Sequence, residues 1–178
     1  MIILGVDPGT LTTGFGIIKY YKNEFHHVFS GIIKPSKYPD LASKLELIYE
    51  ELNKLIKTYK PDEFSIETAF YGKNVQSAMK IGYARGVSIL VAAHNKVPTN
   101  EYSPREVKKA VVGNGAASKE QVEYMVSKLL NLKTDKMKLD ETDAIAVAIC
   151  HALKLNTLTN KSGSWKSFIA ANPDRVIE

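Results

Sequence analysis

The order in which strand-like and helical segments follow one another constrains this chain more than any other feature. Three strand-like segments come first, at residues 2–6, 14–21 and 27–34, and only short connections separate them. The first is continuously apolar, which is typical of a strand that is buried on both faces. Short links between successive strands favour an antiparallel meander. The sequence therefore predicts that one sheet begins with three neighbouring strands.

The hydrophobic period changes after residue 40 from that of a strand to that of a helix. Apolar residues recur at helical spacing over residues 41–56, and the short strand-like segment EFSIE follows at Glu63–Glu67. A helix that connects two strands of one sheet makes those strands parallel. We therefore expect Glu63–Glu67 to run parallel to the first strand.

The second half of the chain adds a strand at residues 97–102 and helices at residues 73–94, from 103–104, from 118 and at 140–155. Ser118 and Gln121 have the spacing of a capping box, which marks the start of a helix. The complete pattern predicts an α/β fold with a mixed five-stranded sheet and helices on both faces. We place one domain at residues 1–155 and a C-terminal tail at residues 156–178.

Four acidic residues from three distant segments are expected to meet at one end of this sheet. Asp7 ends the first strand, and Glu67 ends the strand predicted to run parallel to it. Sites in such sheets form beyond the carboxyl ends of the strands. Asp140 and Asp143 are three residues apart near the start of a helix, so they share one helix face.

Each of these acids also has a more ordinary interpretation. Asp140 suits a helix N-cap, and Asp7 suits a turn at Pro8-Gly9, whereas Glu67 at the end of a buried strand has no capping role. A cluster of like charges is unfavourable unless a cation offsets it, and Mg²⁺ prefers oxygen ligands. Two such ions about 3.5–4 Å apart activate water and stabilise the leaving oxygen of a phosphodiester. The acids therefore indicate phosphoryl chemistry.

Four motifs occur in order between about residues 2 and 151: D-P-G-T…G-F-G, I-E-x-x-F-x-x-K-N, V-K-x-x-V-V-G-x-G-x-x-x-K-x-Q-V and D-x-x-D-A-x-A-x-A. This order resembles the bacterial RuvC Holliday-junction resolvases. The resemblance implies a ribonuclease-H-like fold, a homodimer, and metal-dependent symmetric cutting of four-way DNA junctions during recombination and repair. It also implies that Asp7, Glu67, Asp140 and Asp143 are the catalytic and metal-binding acids.

The resemblance further implies two Mg²⁺ ions per subunit, with Mn²⁺ as a substitute. We expect Asp7 to bridge them, Glu67 and Asp143 to hold one each, and Asp140 to add a ligand or aid the attacking water. The products would carry a 5′-phosphate and a 3′-hydroxyl. A branch-migration motor of the RuvA and RuvB type is the implied partner.

Positive charge is concentrated in the middle of the chain. Residues 71–119 hold eight lysines and arginines but only two glutamates, a formal net charge of +6, whereas the whole chain carries +5. A local basic surface suits a nucleic-acid backbone, although a solvated helix face is the alternative for any single lysine. Lys108 and Lys119 flank the glycine loop at 113–115, and Lys119 begins a helix, where free N–H groups favour phosphate. The resemblance implies that both lysines matter for activity, as phosphate or transition-state contacts.

Two aromatic residues, Phe70 and Tyr71, follow Glu67 in a predicted loop. They are candidates to stack on an unpaired base, and a core-facing aromatic is the alternative. The resemblance implies that Phe70 helps to open base pairs near the crossover, and that Lys73 and Asn74 contact DNA.

Gly82 and Gly86 lie four residues apart, on one face of a predicted helix, and so permit another backbone to approach closely. This face packs either on the chain's own sheet or on a second copy of the chain. Symmetric cutting needs two active sites, which a two-fold dimer supplies. The resemblance favours the second copy, because the family uses this helical region at its dimer interface.

Cysteine, histidine and hydropathy patterns exclude several other classes. The single cysteine, Cys150, rules out an internal disulfide and is expected to be buried in an apolar helix. The four histidines do not show zinc-site spacing. No signal peptide and no run of about 18 apolar residues is present, so we expect a soluble, cytoplasmic protein without a membrane segment.

Three other functions stay open at this point. D-P-G-T after a strand also resembles the phosphate loop of actin-like ATPases and sugar kinases, although 178 residues leave no room for their second lobe. Another ribonuclease-H-like nuclease, acting on RNA or on pre-rRNA ends, is a closer alternative. A non-catalytic junction-binding protein is the third, but such a protein gains nothing from clustered negative charge near DNA.

Overall fold

The structure, a computed structural model, describes residues 1–68, 75–132 and 137–160, with side chains up to residue 156. Its elements, in chain order, are β1 (Ile2–Asp7), β2 (Thr13–Tyr21), β3 (Glu24–Ile33), a 3₁₀ turn (Pro35–Lys37), α1 (Leu41–Tyr59), β4 (Glu63–Glu67), α2 (Val75–His94), β5 (Thr99–Tyr102), α3 (Pro104–Val112), α4 (Lys119–Leu130) and α5 (Leu139–Asn160). The predicted alternation of strands and helices is therefore confirmed.

The five strands form one mixed sheet in the order β3-β2-β1-β4-β5. β1, β2 and β3 are an antiparallel meander and β4 runs parallel to β1, as the sequence predicts. β4 is also parallel to β5. Val6 pairs with Ile66 in the parallel ladder between β1 and β4. The next residue on each strand is an acid, so Asp7 and Glu67 lie side by side where the two strands end.

The two faces of the sheet bury separate apolar clusters. Leu4 and Val6 pack with α1 and α2 on one face, whereas Ile3 packs with α3, α4 and α5 on the other. Successive side chains of a strand point to opposite faces. Asp7 is in step with Ile3, so it faces α5, the helix that carries the other two acids.

Glycines let α5 lie unusually close to the sheet. A Cβ atom added at Gly5 would overlap the backbone of Ala144, and one at Gly14 would overlap the carbonyl group of Asp140. The helix would have to move away to accept any side chain at either position. These glycines therefore set the distance between the first half of α5 and the strand ends.

Some predicted boundaries differ from the structure. β3 begins three residues early, at Glu24, because Lys22 and Asn23 both adopt positive φ and close a tight hairpin. Helix α5 continues to Asn160, five residues past its predicted end and into the segment assigned to the tail. The Asn156 side chain donates to Asn23 Oδ1 at 3.1 Å, which fixes this end of α5 to the hairpin. Residues 161–178 lie outside the described part of the chain.

The buried face of α5 contains the only cysteine. Cys150 is fully buried, as predicted, and burial raises the pKa of its thiol to about 12. The thiol is thus protonated at neutral pH and acts as a small apolar group. Among the described helices, none combines the length and the hydrophobicity that crossing a membrane requires.

Candidate active site

Asp7 and Glu67 line a cavity of about 320 Å³ at the carboxyl ends of β1 and β4. Asp143 reaches the same cavity from α5, Lys108 from α3 and Lys119 from α4. Apolar side chains complete the lining: Pro104, Val107, Val122 and Ala146. Three acids and two lysines, from five different elements, therefore surround one space.

Asp140 lies on the other side of Asp7. It lines a second, larger cavity of about 900 Å³, which is formed by the turn between β1 and β2, the start of α1 and one face of α2. Asp7 lines both cavities. Helix α5 already begins at Leu139, so Asp140 is inside the first turn and is not the N-cap that the ordinary interpretation required.

The two strand-end acids carry strongly perturbed pKa values. Burial raises the pKa of Asp7 to about 7, and the nearby charges of Asp143 and Asp140 add to the effect. Burial raises the pKa of Glu67 to about 8, with further contributions from Asp7 and Asp143. Clustered negative charge in a partly desolvated place is unfavourable, so protons remain on these carboxyls near neutral pH.

Lys119 supplies most of the local compensation. Its Nζ donates to Asp143 Oδ2 at 2.8 Å, and this hydrogen bond raises the pKa of the lysine. The charge of Lys119 also lowers the pKa of both Asp7 and Glu67, and Lys108 lowers that of Glu67. The Lys119 ammonium group therefore lies near several carboxylates and does not neutralise all of their charge.

This donor set fits a hard divalent cation. All four acids offer oxygen ligands, which Mg²⁺ and Mn²⁺ accept. Burial first, and then the neighbouring acids, raises the pKa values of Asp7 and Glu67, and a bound cation would lower both. Within the described residues, no three histidine, cysteine or acidic side chains already stand close enough to hold an ion.

Two capping boxes orient the helices that carry the lysines. Ser118 and Gln121 cap α4 as predicted, and this places Lys119 at the first helical position. Ser103 and Glu106 form a second capping box at the start of α3. This second box was not predicted, although the Ser-x-x-Glu spacing is a signal that could have found it.

Two further basic residues of the 71–119 segment, Lys80 and Arg85, have different positions. Lys80 lines the larger cavity together with Lys44, which lies outside that segment. Arg85 forms an ion pair with Glu101 at the surface, so its charge is already matched. Phe70, Tyr71, Lys73 and Asn74 all lie outside the described residues.

The glycine face of α2 does not pack on the sheet. A Cβ atom at Gly82 or Gly86 would meet no described atom within 4 Å. Exposed apolar side chains flank the two glycines: Met79, Tyr83 and Leu90. The alternative in which this face packs on the chain's own sheet is therefore wrong for the described part of the molecule.

A sheet of this order, with acids at the ends of two adjacent parallel strands and on the helix that covers them, defines a ribonuclease-H-like nuclease. The sequence model of the family described as "Crossover junction endodeoxyribonuclease RuvC" matches residues 3–151. The chain belongs to the RuvC family.

Relatives and solved structures agree with this assignment. The chain is 44% identical to the RuvC of Chloroherpeton thalassium over the whole of both sequences, and 46% identical to that of Cytophaga hutchinsonii over 98% of this chain and 88% of the relative. The structure of Thermus thermophilus RuvC superposes with a TM-score of 0.82 at 27% identity, covering 89% of this chain and 98% of that one. The same protein in complex with a Holliday junction substrate gives 0.83 at 28% identity, covering 89% and 97%. These matches confirm the resemblance and the ribonuclease-H-like fold.

Proposed function

We propose that this chain is a structure-selective endonuclease that resolves four-way DNA junctions by metal-dependent hydrolysis during recombination and repair. The observation that carries the proposal is the arrangement of Asp7, Glu67, Asp140 and Asp143 around one end of the sheet. Membership of the RuvC family supports the activity, and the junction complex of the Thermus thermophilus relative supports the substrate.

The four acids would hold divalent metal, two Mg²⁺ ions per subunit or Mn²⁺ in their place. When bound, the metal activates water and stabilises the leaving oxygen of the phosphodiester. The cavity linings favour Asp7 as the shared ligand, because it alone of the four lines both cavities. Glu67 and Asp143 line the smaller cavity together, whereas Asp140 lines the larger one. This arrangement favours one ion held by Glu67 and Asp143 together, and not a separate ion for each of them.

The chain's own groups prepare the reaction through their charge. Asp7 and Glu67 hold protons near neutral pH and release them as positive charge enters the site. Lys119 Nζ is held by Asp143, and it becomes available to a phosphate oxygen once that carboxylate has another partner. Lys108, which also lines the smaller cavity, contacts phosphate as well. Asp140, in the larger cavity, orients water or adds a ligand.

Further contacts with DNA come from residues around the site. We assign Phe70 and Tyr71 to stacking on bases near the crossover, and Lys73 and Asn74 to contacts with the DNA, on the basis of the sequence motif. Lys44 and Lys80, which line the larger cavity, support a contact with one DNA arm there.

The active form is a homodimer joined through the glycine face of α2. The open space above Gly82 and Gly86 and the exposed apolar side chains beside them support a second copy as the occupant. Two sites related by a two-fold axis would cut two opposed strands. The enzyme works in the cytoplasm, where the chromosome is, beside a branch-migration motor of the RuvA and RuvB type.

A synthetic four-way junction with labelled arms tests the proposal. With Mg²⁺, the protein should cut two opposed strands, and with a chelator it should bind without cutting. A linear duplex and an RNA duplex as competitors distinguish a resolvase from another ribonuclease-H-like nuclease. Binding that never leads to metal-dependent cutting would instead identify a non-catalytic junction-binding protein.

A further inference from the structure

A fifth acid, Glu141, lies in the sequence between Asp140 and Asp143, but its carboxylate is directed to β3. Its Oε1 accepts a hydrogen bond from Ser30 Oγ at 2.6 Å, and its Oε2 faces the backbone N–H of Lys138 at 3.4 Å. Both oxygens therefore have partners away from the two cavities, neither of which Glu141 lines. A role as metal ligand does not fit this geometry.

His27 extends the contact by one more step. Its Nε2 lies 2.6 Å from Ser30 Oγ. The serine hydroxyl has one proton, which it donates to the acceptor-only carboxylate, so His27 Nε2 must be the donor to serine. The result is a directed chain from His27 through Ser30 to Glu141, and its Ser30–Glu141 bond joins residues 111 positions apart in sequence.

The location of this chain of hydrogen bonds gives it a mechanical role. Gly14 lets the Asp140 backbone rest on β2, which limits how near α5 comes to the sheet. Such a steric contact does not prevent the first turn from sliding or rotating. A short hydrogen bond to a charged carboxylate is strong and directional, and it connects that turn to a second strand.

We infer that Ser30, Glu141 and His27 are positioning residues that fix the first turn of α5, and through it Asp140 and Asp143, in the orientation that accepts metal. The inference rests on the proposed function for the identity of the ligand. It concerns this chain's own residues, which act through the acids and do not touch the substrate. Groups that orient metal ligands commonly change metal affinity by about 10- to 100-fold when removed.

The test compares three variants as metal-free proteins titrated with Mn²⁺ by isothermal titration calorimetry. Ser30→Ala removes the hydroxyl and should weaken Mn²⁺ binding about tenfold, whereas Ser30→Thr keeps the hydroxyl and should bind as the parent does. Asn156→Ala is the matched control, because it removes a side-chain hydrogen bond between the other end of α5 and the same hairpin. It should lower the melting temperature slightly and leave Mn²⁺ affinity unchanged.

Hydrogen exchange in the metal-free proteins gives a second readout that needs no metal. Amides of residues 141–145 should exchange about tenfold faster in Ser30→Ala than in the parent, with no such change in Ser30→Thr or Asn156→Ala. Equal exchange and equal Mn²⁺ affinity in Ser30→Ala and the parent would overturn the inference, as would failure of Ser30→Thr to restore both. A parent protein that binds no Mn²⁺ would refute the proposed function instead, and the exchange comparison would still decide whether the turn is positioned.

Discussion

Acidic residues at two neighbouring places in the molecule have opposite electrostatic surroundings. On α3, Glu106 accepts a hydrogen bond from Lys154 at 2.7 Å and takes part in the Ser103 capping box, and these contacts lower its pKa to about 2. At the strand ends, burial and like charges raise the pKa of Asp7 to about 7 and that of Glu67 to about 8. Glu106 thus has a positively charged partner and hydrogen-bond donors, whereas Asp7 and Glu67 are buried beside other acids.

This contrast separates stability from function. A carboxylate with partners stabilises the native state, and its removal is felt as a loss of structure. A carboxylate held near others without partners destabilises the native state, so its presence needs another reason. Binding of a divalent cation supplies that reason at the strand ends.

The largest expected effect follows from Asp7→Asn. Cutting of a synthetic junction should fall by at least about a thousandfold, because the residue that both cavities share would lose its charge. Junction binding, measured by fluorescence anisotropy in Ca²⁺, should stay within a few-fold of the parent. Glu106→Gln is the control, since it removes an acid that lies outside both cavities and should leave cutting largely intact. Normal cutting by Asp7→Asn would contradict the proposed function.

The next effect concerns the lysine that stands among the acids. Lys119→Ala should reduce the single-turnover cutting rate about 100-fold at saturating metal, because a positively charged group near the phosphate is lost. Lys154→Ala removes a lysine that pairs with an acid in the stabilising region, so it should change the melting temperature and not the rate. Equal rate losses in both variants would mean that Lys119 acts through folding alone.

The strand-end half of this contrast was accessible from sequence, and the reason is local. An apolar strand that ends on an acid, repeated in a second strand after a crossover helix, predicts the positions of Asp7 and Glu67 without any tertiary information. Capping boxes are equally local, since two residues three positions apart, Ser118 and Gln121, decide that a helix starts at Lys119. In each case the residues that form the sequence pattern lie within a few positions of the strand end or helix start that they predict.

The parts that sequence did not reveal depend on the alignment of distant segments. Ser30 is an ordinary strand serine until β3 is known to lie beside the start of α5, where Glu141 meets it. Gly14 similarly looks like a turn residue, although its missing side chain is what admits the Asp140 backbone. Asp140 and Asp143 are three residues apart, so the sequence places them on one helix face. Only the position of α5 over the strands shows that they line different cavities.

A smaller effect is expected in stability, and its sign is set by pH. Asp7 and Glu67 have folded pKa values above the ordinary carboxyl range, so between about pH 4 and pH 8 the native state binds more protons than the unfolded state. Stability of the metal-free protein should therefore fall as pH rises through this window. At pH 8, Asp7→Asn should be more stable than the parent by roughly 2 kcal/mol in urea unfolding, and addition of Mg²⁺ should narrow the difference. If Asp7→Asn were less stable than the parent at pH 8, the Asp7 carboxylate would have stabilising partners in the metal-free protein, contrary to this prediction.

The smallest effect sharpens the other half of the contrast. The pKa of Glu106 is lowered by Lys154 and Ser103, so its contribution is present above about pH 4.5 and is lost as pH falls toward 2. Because both partners are substantially exposed to solvent, Glu106→Gln should lower the free energy of unfolding at pH 7 by only about 0.5–1 kcal/mol. The difference from the parent should shrink in 1 M NaCl and at pH 3, as urea unfolding can measure. Removing the negative charge is expected to stabilise the protein at Asp7 and to destabilise it at Glu106. A gain of stability in Glu106→Gln would therefore show that the electrostatic surroundings of the two carboxylates do not differ as described.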